Sequence, residues 1–174
     1  MKIIKKSGTA GLFVIALVAG LIIISCQRTS KKASEKMAEN AIENATGKNA
    51  DVDIDDEKTV IESGGNRIVV DGKANSWPKD IPGDVPEFKS GRIEALTTSS
   101  NSDGEKVWSI TFTEVQDGFL DKYEAQLKDK GFETTIIKSG DKGGSVIGET
   151  NKFAVIVISG EGSATVSVSA KKQE

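Results

Sequence analysis

Between Ser163 and Ala170 the chain reads Ser-Ala-Thr-Val-Ser-Val-Ser-Ala, with Ala164, Val166 and Val168 alternating with hydroxyl residues. Period two is the pleat of a β-strand, and this one has a dry face and a wet face. A chain with such a strand must supply neighbours for its ladder and a cover for its dry side. Trp108, Ile110 and Phe112 repeat the alternation against Ser109 and Thr111, and Asn101-Ser102-Asp103-Gly104 makes the turn before them. Ile93 and Ala95 alternate with charged residues on the strand that precedes this turn, which predicts a hairpin. One cover for the dry side is a helix, GFLDKYEAQLKDK, where Phe119, Leu120, Tyr123 and Leu127 form a single stripe. Asp117 reads as its N-cap, Glu124 and Lys128 as an i,i+4 pair, and Gly131-Phe132 as a Schellman stop. ETTIIK, SVIGET, FAVIVIS and SATVSVSAK follow, separated by Gly or Asn-Lys turns. Residues 91–171 therefore predict an α+β domain, a small antiparallel sheet with one packed helix in the order ββαβββ(β).

Phe153 to Ile158, FAVIVI, has no polar residue on either parity. A continuous apolar run of this length predicts burial on both faces. Its second cover would be the segment before Gly91, the N-terminal part of the chain, or a partner.

That preceding segment, residues 73–90, holds all three prolines of the chain. Each Pro biases its predecessor toward extended geometry, so the segment reads as a semi-rigid connector. Trp77, Ile81, Val85 and Phe88 are too apolar for a free linker. Packing along the next domain is the reading their size favours. The alternative is a partner-binding strap, with Trp77, Ile81 and Phe88 as the candidate contact residues.

Residues 34–72 predict a helix followed by a β-hairpin. Ser34 reads as an N-cap, with Met37, Ala38, Ala41, Ile42 and Ala45 at helical spacing and Gly47 as C-cap. Val52, Ile54 and Val60, then Arg67 to Asp71, supply two strands about Ser63-Gly64-Gly65-Asn66. Asp51, Asp53, Asp55 and Glu62 copy positions one, three, five and twelve of a calcium loop. Position six of such a loop is a sharp turn and needs Gly; here it is Asp56. Val52 and Ile54 alternate with the acids, so a half-buried strand is the stronger reading.

The first six residues, MKIIKK, are basic, and the stretch from Ser7 to Ser25 is uncharged. This is the layout of a secretory signal. Ile23-Ile24-Ser25-Cys26 resembles the lipobox of bacterial lipoproteins. That resemblance implies processing by the prolipoprotein enzymes: diacylglycerol on the Cys26 thiol, cleavage of residues 1–25, and in many bacteria a further acyl chain, such as palmitate, on the new amino terminus. Residues 26–33 would then be a tether to the membrane. Two or three acyl chains anchor firmly where one does not. The implied place is the cell envelope: the outer face of the membrane in a Gram-positive host, the outer membrane in a Gram-negative one, since Gln27 is not the Asp that retains some lipoproteins at the inner membrane. The mature segment is similar to N-terminal parts of uncharacterised bacterial envelope lipoproteins, on Glu43-Asn44-Ala45-Thr46-Gly47 and Asp51-Val52-Asp53-Ile54-Asp55. That likeness implies no activity.

Composition narrows the chemistry. The chain has no His and one Cys, which the lipobox claims. Ser-His-Asp triads, Cys-His pairs and the usual zinc or iron sites need residues that are missing. Ser139 and Lys142 have Ser-x-x-Lys spacing, but SGDKGG is a turn and not the helix that pairing needs. Neither GDKGGS nor Gly160-Glu161-Gly162 has the spacing of a phosphate or dinucleotide loop. Removing Lys2, Lys5 and Lys6 with the signal lowers the 23 basic residues to 20 against 26 acidic ones, a net charge of −6. An acidic chain does not suit nucleic acid. The expectation is a non-enzymatic envelope protein without a cofactor or metal, binding a protein or envelope component. The alternative is a small-ligand module serving a transporter or envelope enzyme.

Overall fold

The computed structural model describes residues 31–140 and 143–171. The expected signal (residues 1–25), Cys26 and Lys142 lie outside the described residues. The chain divides into two compact units, the first ending at Val69 and the second starting at Val70.

The first unit holds helix α1 (Lys31–Thr46) and strands β1 (Ala50–Ile54) and β2 (Lys58–Ser63), with β3 (Asn66–Asp71) beginning in it. There are thus three strands where the sequence reading placed two, because Asp55-Asp56-Glu57 turns the chain before Val60. β1 and β2 pair antiparallel with Val52 opposite Ile61, and both are buried. Gly64 and Gly65 join β2 to β3 with φ of 57° and 81°, a pair of left-handed residues that glycine tolerates. The acidic stretch from Asp51 to Ile54 is a strand, with Asp51 and Asp53 exposed and Val52 buried.

Helix α1 starts before Ser34, so that residue is a buried member of the helix and not its cap. The buried seam is Ser34, Ala38 and Ile42, at intervals of four, and Met37 lies 67% exposed. The face that turns inward is set by the glutamates beside this seam. Glu35 accepts the backbone N–H of Ile54 at 3.2 Å, and Glu43 accepts that of Ala50 at 3.3 Å. The helix therefore blocks the ladder donors at both ends of β1, which an uncovered edge would leave open. Lys31 bridges to Asp55 at 3.2 Å and Asp53 at 3.6 Å, and the Asp55 bond holds its ammonium above the ordinary lysine value.

The second unit contains β4 (Arg92–Ser100), β5 (Lys106–Thr113), α2 (Phe119–Asp129), β6 (Glu133–Ser139), β7 (Gly143–Glu149), β8 (Phe153–Gly160) and β9 (Ser163–Ala170). Its strands lie in the order β4-β5-β9-β8-β7-β6, antiparallel at every pairing. Glu161 and Gly162, at φ 50° and 77°, close the β8–β9 hairpin and set Gly160 opposite Ser163. A bulge between Ile93 and Ala95 breaks the alternation expected of β4. Ile93 and Leu96 reach the core, while Ala95 pairs with Thr111 on the opposite face.

Helix α2 covers one face of this sheet with Phe119, Leu120, Tyr123 and Leu127. Its N-cap is Gly118 at φ 74° with no side-chain bond, so Asp117 does not cap it. The stop is a Schellman motif: Phe132 N–H donates to the Leu127 carbonyl at 3.0 Å, and Gly131 N–H to that of Lys128 at 2.9 Å. Where helix meets sheet, a Cβ on Gly148 would come within 3.1 Å of Leu127, so β7 carries glycine at the point of closest approach.

Beside α2 the proline segment covers the rest of the same face. It is a row of turns instead of an extended connector. Ile81 N–H donates to the Pro78 carbonyl at 3.2 Å, and Val85 N–H to that of Pro82 at 3.0 Å. The sequence beneath is periodic: Trp77-Pro78-Lys79-Asp80, Ile81-Pro82-Gly83-Asp84, Val85-Pro86-Glu87-Phe88. An apolar residue every fourth position, with a turn between, drops Ile81 and Val85 into the core. Phe88 follows them and stands 4.6 Å from Phe112 and 5.2 Å from both Phe119 and Tyr123, ring centre to ring centre.

Candidate binding face

The turned segment and α2 share one face of the sheet, which leaves the other face of β6, β7 and β8 open. FAVIVI is not buried on both sides. Phe153, Val155 and Val157 point into the core, whereas Ile156 and Ile158 are 41% and 62% exposed. Ile137 on β6 is 59% exposed, and Ile147 on β7, directly opposite Ile156, is half-buried. The neighbours on this face are Ser145 opposite Ile158, then Thr165 and Ser167 of β9 opposite Ile158 and Ile156. Ser109 and Thr111 continue the face on β5, opposite Ser167 and Thr165. Glu133 and Glu149 stand at its margin, and Glu149 is paired with Lys171 at 2.9 Å. The result is a flat field of Ile, Ser and Thr without a charge across its middle. Isolated exposed apolar residues are ordinary, but four isoleucines on three adjacent strands form a patch of the kind that marks contact surfaces.

The candidate contact residues of the proline segment have another place. Ile81 and Phe88 are buried, and Trp77 packs half-buried against the core. The burial supports the packing reading of this segment. It is latched by Asp80, whose carboxylate accepts from the Lys106 ammonium and, at 3.2 Å, from the Trp108 indole N–H. Lys106 in turn lies 5.0 Å from the Trp108 ring centre. The Lys106 bond is the main cause holding the Asp80 carboxyl below its ordinary value of 3.8. A depressed carboxyl contributes stability that is present above the unfolded value and lost as pH falls through the folded one. Asp80→Asn is therefore expected to lower the urea midpoint at neutral pH. The gap to the parent should begin to narrow as pH falls toward 3.8 and close only below the depressed folded value, where the Asp80 carboxyl is neutral in the native state as well. A gap that persists there would mean the latch is not electrostatic.

A concavity of about 510 Å³ lies at the C-terminal end of α2. Phe132 and Phe153 contribute to its wall, with Asp84, Lys130, Glu133, Glu149 and Lys152 among the charged residues. Its size suits a small ligand, but it is shallow and polar. Tyr123 is no acid here: burial pushes its hydroxyl well above the ordinary tyrosine value, and the hydroxyl donates to the Pro86 carbonyl at 3.0 Å. Among the described residues no three His, Cys, Asp or Glu side chains converge to hold a metal ion, and no helix is long and apolar enough to cross a membrane. Ser139 ends β6. No protein-family model, curated protein or solved structure matches the chain.

Proposed function

We propose that the chain is a lipid-anchored cell-envelope protein whose second unit binds a protein partner without catalysis. One observation carries the binding part: the uncharged isoleucine face of β6, β7 and β8, open beside a complete core. A sheet face that served only solubility would carry Lys and Glu at these outward positions. Ile23-Ile24-Ser25-Cys26 supports the anchor, and the mature acidic chain would stand off the anionic bilayer surface on its tether. The small-ligand reading rests on the groove at the end of α2, and it stands second because that groove has no enclosed apolar interior.

Photocrosslinking in the native envelope separates the two. A photoreactive residue at Ile158 is expected to capture a discrete protein partner, and one at exposed Lys122 on α2 should capture none. Equal yields from both positions, or none from Ile158, would reject the face as the binding surface.

A further inference from the structure

We infer that the groove between the proline turns and α2 binds a linear anionic polysaccharide. The groove measures about 580 Å³ and opens to solvent on the side of the sheet that α2 covers. It is a site independent of the isoleucine face. Charge sorting within the turns points to the ligand. Residues 77–89 contain two lysines, Lys79 and Lys89, and three acids, Asp80, Asp84 and Glu87. The fold separates them. Asp80 is held by Lys106 and the Trp108 indole, and Asp84 lines the concavity at the end of α2. Lys79 and Lys89 line the groove instead, and neither has an ionic partner among the described residues. Lys130, just past the end of α2, joins them, its ammonium 3.5 Å from the Gly83 carbonyl. Three cations thus face the groove against one acid, Glu87, in a chain whose net charge is −3.

The cations are spaced along the groove. Lys79 lies in the first four-residue repeat, Gly83 beside Lys130 in the second, and Lys89 just after the third. A ligand complementary to all three carries negative charge at intervals, which a single phosphate or carboxylate does not. The floor of the groove sets the rest of the chemistry. Ile81 and Val85 are turned into the core and fill the space beneath, so no deep pocket is left for an apolar side chain of a peptide. What remains is the half-buried indole of Trp77 beside the half-buried rings of Pro82 and Pro86. The negative face of an indole attracts the C–H bonds of a sugar ring laid on it. Gln126 adds an amide that both donates to and accepts from sugar hydroxyls.

The test is calorimetric titration of the full chain in non-ionic detergent micelles with dextran, carboxymethyl dextran, phosphorylated dextran and polyglutamate. Binding of one or both charged dextrans is expected, with none of neutral dextran. The two charged arms tell a carboxylate ligand from a phosphate one. Lys79→Gln and Lys89→Gln should each weaken that binding about tenfold, the worth of one charge-assisted hydrogen bond. Both side chains are exposed, so the urea midpoint of each variant should match that of the parent. Ile158→Lys should leave the titration unchanged, which separates this groove from the isoleucine face. Failure of both charged dextrans to bind would overturn the inference, as would neutral dextran binding equally well or lysine variants that bind like the parent. Polyglutamate binding as tightly as the charged dextrans would show that charge alone is read, and would overturn the assignment to a saccharide.

Discussion

Val157→Asp is expected to unfold the second unit, whereas Ile156→Asp, one residue away on the same strand, should leave it folded. Val157 has no exposure and faces Val146 and Val166 on the neighbouring strands. A carboxylate there has no partner and no water, so the loss should exceed about 4 kcal/mol. Ile156 is 41% exposed on the other face, beside Ile147 and Ser167. Its change should cost about 1 kcal/mol or less, the span of β-propensity at such a site. Both tryptophans, Trp77 and Trp108, belong to the second unit, so urea denaturation followed by their fluorescence reads it directly. Equal losses at both positions would mean that β8 is buried on both sides after all.

Phe88→Ala should be the most damaging truncation outside the sheet. The ring is the point where the turned segment, β5 and α2 meet, in contact with Phe112, Phe119 and Tyr123. Removing a buried Phe costs about 3–5 kcal/mol through lost burial and the cavity left behind. The aromatic contacts add roughly 0.5–1.5 kcal/mol per pair beyond their buried area. Truncation should also loosen the Tyr123 hydroxyl from Pro86, freeing the turned segment at its C-terminal end. A loss below about 1 kcal/mol would show that the segment is not part of the core.

Local signals were legible wherever one residue decides the geometry. Gly131-Phe132 specifies a Schellman stop, Glu161-Gly162 a tight hairpin, and Val166 and Val168 a one-sided strand. What the run FAVIVI hides is the identity of its faces, because isoleucine looks the same whether buried or bare. The register resolves it. A two-residue turn between Gly160 and Ser163 puts Ile158 opposite Thr165 and Ile156 opposite Ser167, and residues opposite each other share a face. The wet side of β9 thus declares the outer side of β8, so the open face could be read from the sequence by carrying one strand's alternation across the turn. The proline segment was less legible. Pro restricts its predecessor to extended geometry, yet turns form over the three residues that follow Pro78 and Pro82. Only the four-residue recurrence of an apolar residue followed by Pro marks them. Asp117 and Ser34 failed as caps for different reasons: Gly118 enters α2 in a left-handed conformation, and α1 begins a turn early, held by Lys31 on Asp53 and Asp55.

Tethering is the premise on which the proposed envelope role depends, and the lipobox resemblance offers Cys26 as its point of attachment. Intact-mass analysis of the protein recovered from the membrane fraction tests it most directly. The expected species begins at Cys26 and carries a diacylglycerol thioether, and Cys26→Ala should instead accumulate as an unlipidated precursor retaining residues 1–25. A wild-type protein found at full length, without lipid and with a free thiol at Cys26, would contradict the account.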